Sequence, residues 1–341
     1  MRHLDSLIFT HHLADHQPQR MAFTAVNRAA AEAWQSRLRR KIVELLGGFP
    51  REKGALEPET LAVTEFPDYT RETVVFQSRE QLTVFAYFLL PKEAKGRLPT
   101  MICLPGHGRG VDDIVGMNED GTLRTAYGGY QNDFALQAVH NGFAVLAVEQ
   151  FGFGHRRDAR ARQAGGGTSS CQPASGAAFL LGQTMVGWRV YDVIRSVDYL
   201  RTRPEVAPNR IGCMGISGGG TITFFAAAIE KRIKAAVISG YFNTFRDSIL
   251  SIPHCIDNYV PGILAYAEMA DIVGLIAPRP LFVESGARDP IFPVAATRAA
   301  FAKAQGIYRL FDAEDRVGME IFDDEHIFYG AQAFPFLKAH L

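Results

Sequence analysis

The apolar residues of the chain change their spacing several times, and each spacing predicts a different element. From Phe23 to Leu46 they recur every three or four positions until Gly47 and Gly48 end the pattern, which predicts an amphipathic helix. From Arg71 to Pro91 the residues alternate and are rich in β-branched and aromatic types, which predicts an antiparallel hairpin.

Short apolar strands then alternate with helical patterns. The predicted strands are TMICLP (100–105), FAVLAVE (143–149), RIGCMG (210–215), IKAAVIS (233–239) and PLFVES (280–285). Strands that are apolar on both faces and separated by helices are typical of a mostly parallel sheet with helices on both faces. We therefore expect an α/β fold, divided into an N-terminal helical extension at residues 1–60 and a main domain at residues 61–341.

Two segments interrupt this alternation. Residues 151–181 contain the run GGGTSSCQPASG, and residues 241–268 are rich in aromatic side chains. Both follow the carboxyl end of a predicted strand, where ligands bind in open parallel sheets, so we expect loops or small helices that shape a pocket. A disordered surface insertion is the alternative for the glycine-rich segment.

A serine lies between the predicted strand at 210–215 and the apolar helix TITFFAAAIE. The five residues from Gly215 to Gly219 fit G-x-S-x-G around Ser217. In a strand-to-helix turn this sharp, Cβ atoms two positions before and after the serine would collide with the backbone, so small residues are required there. The pattern predicts a nucleophile, and an incidental serine in a glycine-rich turn is the alternative.

A serine nucleophile needs a base and an acid, and both follow it in the order expected for this kind of turn. Asp289 lies in the loop after the strand at 280–285, and His326 lies between a last predicted strand and a terminal helix. Asp315, Asp323 and Asp324 are rival acids, but Asp323 and Asp324 are too near His326 in sequence to reach its Nδ1. We expect Ser217, Asp289 and His326 to act together, with an ordinary turn aspartate as the alternative for Asp289.

An oxyanion formed on the substrate needs two N–H donors. We expect them from the backbone of Gly218 and from His107 in the loop Pro105-Gly106-His107-Gly108, which is otherwise a plain glycine-rich turn.

Four further side chains near the predicted pocket are candidate substrate contacts: Gln150, His155, Tyr241 and His254. The aromatic and hydrogen-bonding residues of 241–268 suit a small acyl group on a polar or ring-shaped alcohol. The alternatives are solvated histidines and aromatic residues that belong to the core.

The composition narrows the choice of partners. The chain has 36 basic and 36 acidic residues and no net charge, which predicts neither nucleic acid nor a membrane surface as a partner. No phosphate-binding glycine motif and no clustered metal-ligand spacing occurs, so we expect no cofactor and no metal. The four cysteines include no CxxC pair, and Cys171 and Cys255 lie in loop-like segments that could meet.

The order of these motifs resembles the α/β-hydrolase fold from about Thr73 to the C-terminus. The segments LLGGFP, LPGHGRG, VEQFGFGHRR, GISGGG, HCIDNYVPG and LIAPRPLFVESGARDPIFP are similar to those of bacterial acetyl xylan esterase-like and dienelactone hydrolase-like esterases. Two departures are clear. Dienelactone hydrolases use cysteine where this chain has Ser217, and the RGQ and His-Glu motifs of cephalosporin and xylan deacetylases here read EQF at 149–151 and His326-Ile327.

The resemblance implies a serine carboxylesterase that cleaves short-chain, acetyl-type esters, with sugars as candidate alcohols. The expected partner is thus a small-molecule ester, and the sequence leaves the oligomeric state open. A peptidase of the prolyl oligopeptidase type and a catalytically dead binding module on the same fold are the alternatives. The first twenty residues lack the apolar stretch of a secretory signal, so we expect a cytoplasmic protein, or a secreted one if a signal has been removed.

Overall fold

A sheet of nine strands forms the centre of the computed structural model, which describes residues 4–93 and 95–341. In chain order the strands are β1 Glu59–Glu65, β2 Tyr69–Arg79, β3 Leu82–Pro91, β4 Leu98–Leu104, β5 Ala144–Val148, β6 Val206–Ile216, β7 Ala235–Ser239, β8 Leu281–Gly286 and β9 Val317–Phe322. Across the sheet they follow the order β1-β2-β3-β5-β4-β6-β7-β8-β9. The first three pairs in this order are antiparallel and the remaining pairs are parallel. The predicted mostly parallel sheet with an antiparallel hairpin is confirmed.

Helices cover both faces of this sheet. They are α1 Ser6–Asp15, α2 Arg28–Leu45, α3 Val111–Ile114, α4 Phe134–His140, α5 Ala159–Gln163, α6 Cys171–Leu180, α7 Met185–Leu200, α8 Gly218–Ile229, α9 Met269–Val273, α10 Val294–Arg309 and α11 Ala333–His340. Short 3₁₀ helices span Gly154–Arg156, Ile256–Asn258, Ile263–Ala265 and Glu314–Arg316. Among the described residues, no helix combines the length and the apolar composition that crossing a membrane requires.

Two hydrophobic clusters fill the space between the helices and the sheet. One contains the apolar faces of α2, α7, α8, α9 and α10, and the other contains those of α3, α4 and α11. Adjacent residues of one strand contribute to different clusters, as Ile102 and Cys103 of β4 do. This alternation explains why the central strands are apolar on both faces.

Helix α2 is shorter than the helix that the apolar pattern from Phe23 to Leu46 predicted. It begins at Arg28 and not at Phe23, because the side chain of Asn27 accepts a hydrogen bond from the backbone N–H of Ala30 at 2.9 Å and caps the helix there. Val26, which fits the helical spacing, is 84% exposed. The helix buries its other apolar side chains in the cluster that it shares with α7 and α8, namely Trp34, Leu38 and Ile42. The boundary at residue 60 stays a prediction.

The loops that carry the predicted site leave the carboxyl ends of parallel strands. His107 follows β4, Ser217 follows β6, Asp289 follows β8 and His326 follows β9. Since parallel strands end at one edge of a sheet, these four residues come from the same side of the molecule.

Candidate active site

Ser217 occupies a strained turn between β6 and α8. Its backbone has φ 57° and ψ −122°, a conformation that residues with a side chain rarely adopt. The turn is tight: a Cβ atom at Gly215 would lie 2.5 Å from the carbonyl carbon of Gly219. The backbone N–H of Ser217 donates to the carbonyl of Ser239 at 3.1 Å, which ties the turn to β7. The glycines around the serine are therefore required by the packing of the turn.

His326 and Asp289 form a buried pair. Nδ1 of His326 lies 2.7 Å from Oδ2 of Asp289, and their side chains are 13% and 1% exposed. The other carboxylate oxygen, Oδ1, accepts the backbone N–H groups of Ile291 and Phe292 at 2.8 and 3.0 Å. The imidazole ring stacks on Tyr130 and on Phe292, with ring centroids 5.7 Å apart in both pairs. The carboxylate and the ring are thus both held in one orientation.

The remaining nitrogen of this imidazole is available for chemistry. Nε2 of His326 is buried and has no hydrogen-bond partner among the described residues. His326 and Ser217 line the same cavity, which has a volume of about 420 Å³. The full lining is His107, Tyr130, Ser217, Ile252, Pro253, His254, Cys255, Ile291 and His326. The cavity therefore brings together a hydroxyl group and a base whose second nitrogen is paired with a carboxylate.

A larger cavity of about 650 Å³ lies elsewhere, between α6 and the segment from Phe245 to Ala265. Its walls are mainly aliphatic and aromatic, and none of Ser217, Asp289 and His326 lies among them. Its size alone would suggest that this cavity is the active site, but the catalytic candidates Ser217 and His326 line the smaller one.

The loop at residues 105–108, which we call the oxyanion loop, lies against the serine turn. A Cβ atom at Gly106 would lie 3.2 Å from the Cβ of Ser217. The backbone N–H groups of His107 and Gly218 donate to no other described residue. Side chains hold the loop in place: Gln131 accepts from the N–H of Gly106 at 2.7 Å, and the hydroxyl of Tyr130 donates to the carbonyl of His107. Two backbone donors are thus present beside Ser217, and their role stays a prediction.

Of the four predicted substrate contacts, only His254 lines the cavity with Ser217. Gln150 is buried and donates to the carbonyl of Pro105, so it supports the oxyanion loop. His155 lies in a separate cavity, stacked on Phe85 at 4.1 Å.

Tyr241 is 1% exposed and packs against Phe224 and Phe292, which places it in the core. Phe242 and Phe245 are also buried. The expectation that the aromatic residues of 241–268 face the ligand is therefore wrong for these three, and the alternative that they are core residues is correct. Tyr241 and Phe242 pack against Phe224 of α8 and so attach the segment to that helix, whereas Phe245 lines the larger cavity. The part of the segment that reaches the cavity is the run from Ile252 to Cys255.

A cluster of charged and sulfur-containing side chains lies directly behind the oxyanion loop. Nε2 of His107 is 3.3 Å from Oδ2 of Asp257, and Nη1 of Arg189 donates to the same oxygen at 2.6 Å. Sγ of Cys171 is 3.1 Å from this oxygen as well, and Cys255 completes the group. Cys171 and Cys255, which the sequence placed in loops that could meet, do come together here.

The electrostatics of this cluster favour charged forms in spite of burial. Burial acts to lower the pKa of His107, but its hydrogen bonds to Asp257 and Cys171 and the negative charges of these two groups together outweigh burial and raise the pKa to about 9. Burial acts to raise the pKa of Asp257, yet the nearby guanidinium of Arg189, together with His107 and Cys255, holds the pKa well below its ordinary value. Hydrogen bonding from Cys255, together with Arg189, lowers the pKa of the Cys171 thiol. The group is therefore a compact set of opposite charges.

Sequence reasoning missed Asp257 and Arg189. A signal existed, because His254, Cys255 and Asp257 lie within four consecutive residues of one predicted pocket segment. The pattern contains only part of the group, however, since His107 and Cys171 are distant in sequence and join it through the fold.

Comparisons with known proteins agree with this architecture. The sequence model of the Abhydrolase family matches residues 1–306 of the chain. A protein of Bacillus subtilis (strain 168), named "Putative hydrolase YtaP", is 28% identical over 266 residues, which cover 75% of this chain and 81% of that protein.

Solved structures share the fold at low sequence identity. The crystal structure of "a putative acetyl xylan esterase" from Bacteroides fragilis NCTC 9343 matches with a TM-score of 0.80 and 18% identity, over 96% of this chain and 87% of that one. The glucuronoyl esterase from Solibacter usitatus matches with a TM-score of 0.69 and 18% identity, over 95% of this chain and 97% of that one. These likenesses establish the fold that both structures have in common with this protein.

Proposed function

The chain belongs to the Abhydrolase family, as the resemblance of its motifs predicted, and from this membership we propose that it is a serine carboxylesterase acting on short-chain acyl esters. The observation that carries the proposal is the orientation of His326. Its Nδ1 is paired with Asp289 at 2.7 Å, and its Nε2 is left for the hydroxyl of Ser217 in the same cavity.

The proposed reaction proceeds through an acyl-enzyme. Nε2 of His326 accepts the proton of Ser217 as Oγ attacks the ester carbonyl, and the Asp289 carboxylate stabilises the imidazolium that forms. The imidazolium then donates this proton to the leaving alcohol. A water molecule then attacks the acyl carbon while His326 accepts one of its protons, and the imidazolium returns that proton to Oγ of Ser217 as the acyl–Oγ bond breaks and the acid is released.

The negative charge on the carbonyl oxygen is assigned to the backbone N–H groups of Gly218 and His107. Gly218 is the first residue of α8, so its N–H is one of the donors that a helix leaves without an intrahelical acceptor. The partial positive charge of the helix N-terminus adds to the same effect. Removal of one such donor typically lowers kcat by about 10² to 10³.

The proposed substrate is a small-molecule ester with a short acyl group. The cavity of about 420 Å³ lies near the lower end of the range of about 300–1,000 Å³ for small-molecule sites. A carbohydrate is the proposed alcohol, because the structurally similar proteins include an acetyl xylan esterase from Paenibacillus sp. R4 with a TM-score of 0.59. Nδ1 of His254, which has no hydrogen-bond partner among the described residues, is available to a hydroxyl group of such a substrate.

Labelling with a fluorophosphonate probe, combined with assays on p-nitrophenyl acetate and on a chromogenic peptide amide, tests this proposal. We expect the parent protein to be labelled and to hydrolyse the acetate much faster than the amide. Ser217→Ala should abolish labelling and lower turnover by a factor on the order of 10³ to 10⁶. An unlabelled, inactive parent would identify a binding module, and preference for the amide would identify a peptidase; either result overturns the esterase assignment.

A further inference from the structure

We propose that the cluster behind the oxyanion loop is a structural zinc site with four protein ligands. The ligand atoms are Nε2 of His107, Sγ of Cys171, Sγ of Cys255 and a carboxylate oxygen of Asp257. All four lie within 4.8 Å of one another. This inference does not depend on the proposed esterase activity, since it rests on ligand chemistry and not on Ser217.

The separations among His107, Asp257 and Cys171 are close to those of a tetrahedron around one ion, and Cys255 lies within 4.8 Å of all three. Zinc binds sulfur at about 2.3 Å and nitrogen or oxygen at about 2.0–2.2 Å, so ligand atoms on a tetrahedron lie roughly 3.3–3.8 Å apart. The nitrogen of His107 and the oxygen of Asp257 are 3.3 Å apart, and Sγ of Cys171 is 3.1 Å from the oxygen and 3.9 Å from the nitrogen. Small shifts of side chains would bring these atoms to the ideal distances.

The donor set selects zinc over the common hard cations. Thiolates and imidazole are ligands that zinc prefers, whereas Mg²⁺ and Ca²⁺ require oxygen ligands and higher coordination numbers. Two thiols, one imidazole and one carboxylate leave no position for an oxygen-rich shell. With all four positions taken by protein, such an ion has a structural and not a catalytic role.

Arg189 makes the site electrically neutral. A zinc-bound cysteine is a thiolate and a zinc-bound histidine is uncharged, so the two thiolates and the Asp257 carboxylate carry three negative charges. Zn²⁺ together with the Arg189 guanidinium carries three positive charges. Because burying a net charge is strongly unfavourable, this balance means that zinc binding would leave no uncompensated charge in a site where Arg189 and Asp257 are almost completely buried.

Outer contacts hold the ligands in place. Arg189 donates through Nη1 to Oδ2 of Asp257 at 2.6 Å and through Nη2 to Sγ of Cys171 at 3.3 Å. Nδ2 of Asn258 donates to Oδ1 of Asp257 at 3.0 Å. A carboxylate oxygen has two lone pairs, so Oδ2 can accept from Arg189 and bind an ion at the same time. Such outer-shell hydrogen bonds orient ligands in known zinc sites.

An ion here would connect three segments that come together at the cavity. His107 belongs to the oxyanion loop, Cys171 is the first residue of α6, and Cys255 with Asp257 lies at the 3₁₀ helix Ile256–Asn258. Because His107 and Cys255 also line the cavity with Ser217, the ion would fix two of its walls.

Cobalt substitution tests the proposal on the full-length protein. The protein is reduced, treated with a chelator, and titrated with Co²⁺ under nitrogen. We expect one Co²⁺ per chain, with the thiolate-to-metal charge-transfer absorption and the visible bands of tetrahedral coordination, and loss of both bands when Zn²⁺ is added. If the reduced parent protein shows no thiolate band, or binds Co²⁺ only in an octahedral form, the proposal is wrong.

Two cysteine variants test whether the Co²⁺ absorption comes from this cluster. Cys255→Ser changes the least buried of the four cysteines and should lose the charge-transfer intensity of one thiolate and bind Co²⁺ on the order of 10²-fold more weakly. Cys213→Ala removes a core thiol outside the cluster and should bind like the parent. Zn²⁺ should raise the Tm of the parent and of Cys213→Ala, and not that of Cys255→Ser. A spectrum unchanged in a folded Cys255→Ser protein would contradict the assignment.

Discussion

Nδ1 of His326 lies 2.7 Å from one oxygen of Asp289, while the other oxygen of the same carboxylate accepts two backbone N–H groups. Both oxygens of the carboxylate therefore act as hydrogen-bond acceptors. Because Oδ2 can only accept, the imidazole must carry its proton on Nδ1. That tautomer leaves a lone pair on Nε2, which is the form that a base for Ser217 needs.

Replacing Asp289 by asparagine tests this relationship. The amide side chain can donate to Nδ1 and so favour the opposite tautomer, and in a serine protease with the same arrangement the equivalent change lowers kcat by about 10⁴. We expect a loss of that order for Asp289→Asn, measured as kcat with p-nitrophenyl acetate. Asp323→Asn is the control: Asp323 is exposed and pairs with Arg288, so its removal should change kcat by less than about twofold. If Asp289→Asn keeps a tenth of the parent activity, another residue orients His326.

The parts of this site that could be predicted from the sequence are those that local geometry determines. The turn around Ser217 requires glycine at fixed positions, and this requirement is visible as a pattern. Asp289 and His326 could be predicted because parallel strands end at one edge, so residues that follow β8 and β9 must come near a residue that follows β6. Order along the chain and strand direction were sufficient, and no knowledge of packing was needed.

The parts that could not be predicted depend on contacts between distant segments. Strand β1, Glu59–Glu65, is exposed along its whole length at the edge of the sheet, so its sequence carries no alternation of apolar and polar residues. Tyr241 has an aromatic ring and a hydroxyl group, which are typical of binding residues. Only its packing against Phe292 shows that it belongs to the core. Arg189 fits the helical pattern of α7, and its contact with Asp257 arises only when α7 and the 241–268 segment pack together.

The strained backbone at Ser217 predicts an unusual response to glycine. At φ 57° and ψ −122°, Ser217→Ala keeps the strain and Ser217→Gly removes it, although glycine also increases the entropy of the unfolded chain. We expect Ser217→Gly to be more stable than Ser217→Ala by roughly 1 kcal/mol in urea unfolding, with both variants inactive. At the exposed helical position Ser36 the order should be the reverse, with glycine about 1 kcal/mol less stable than alanine. The same order at both positions would show that the turn is relaxed in solution.

The buried carboxyl group of Glu284 at the end of β8 predicts a pH-dependent stability. Burial raises the pKa of Glu284 from 4.5 to about 7, and its Oε1 accepts the N–H of Gly330 at 2.6 Å. The folded protein thus keeps this proton to a higher pH than the unfolded chain does. The resulting contribution to stability is complete below about pH 4.5 and is lost as the pH rises to about 7.

Glu284→Gln isolates this contribution, since glutamine resembles the protonated carboxyl at every pH. We expect the free energy of unfolding of the variant, relative to the parent, to increase by roughly 3 kcal/mol between about pH 4.5 and about pH 8. Urea unfolding at both pH values measures the difference. A constant difference between variant and parent would mean that Glu284 ionises with the same ease in both states.

The walls of the cavity predict which acyl chains the enzyme accepts. The cavity of about 420 Å³ has aliphatic groups from Ile252, Pro253 and Ile291 beside the polar rings of His107 and His254. The larger apolar cavity of about 650 Å³ shares no lining residue with it, so among the described residues the cavity at Ser217 and the larger apolar one are separate spaces. We expect high kcat/KM for p-nitrophenyl acetate and butyrate and very low kcat/KM for the palmitate, because the methylene groups of a long chain would stay in water. Ser217→Ala gives the background for each ester. Efficient hydrolysis of the palmitate by the parent would mean that the two cavities join when substrate binds, and that the short-chain assignment is wrong.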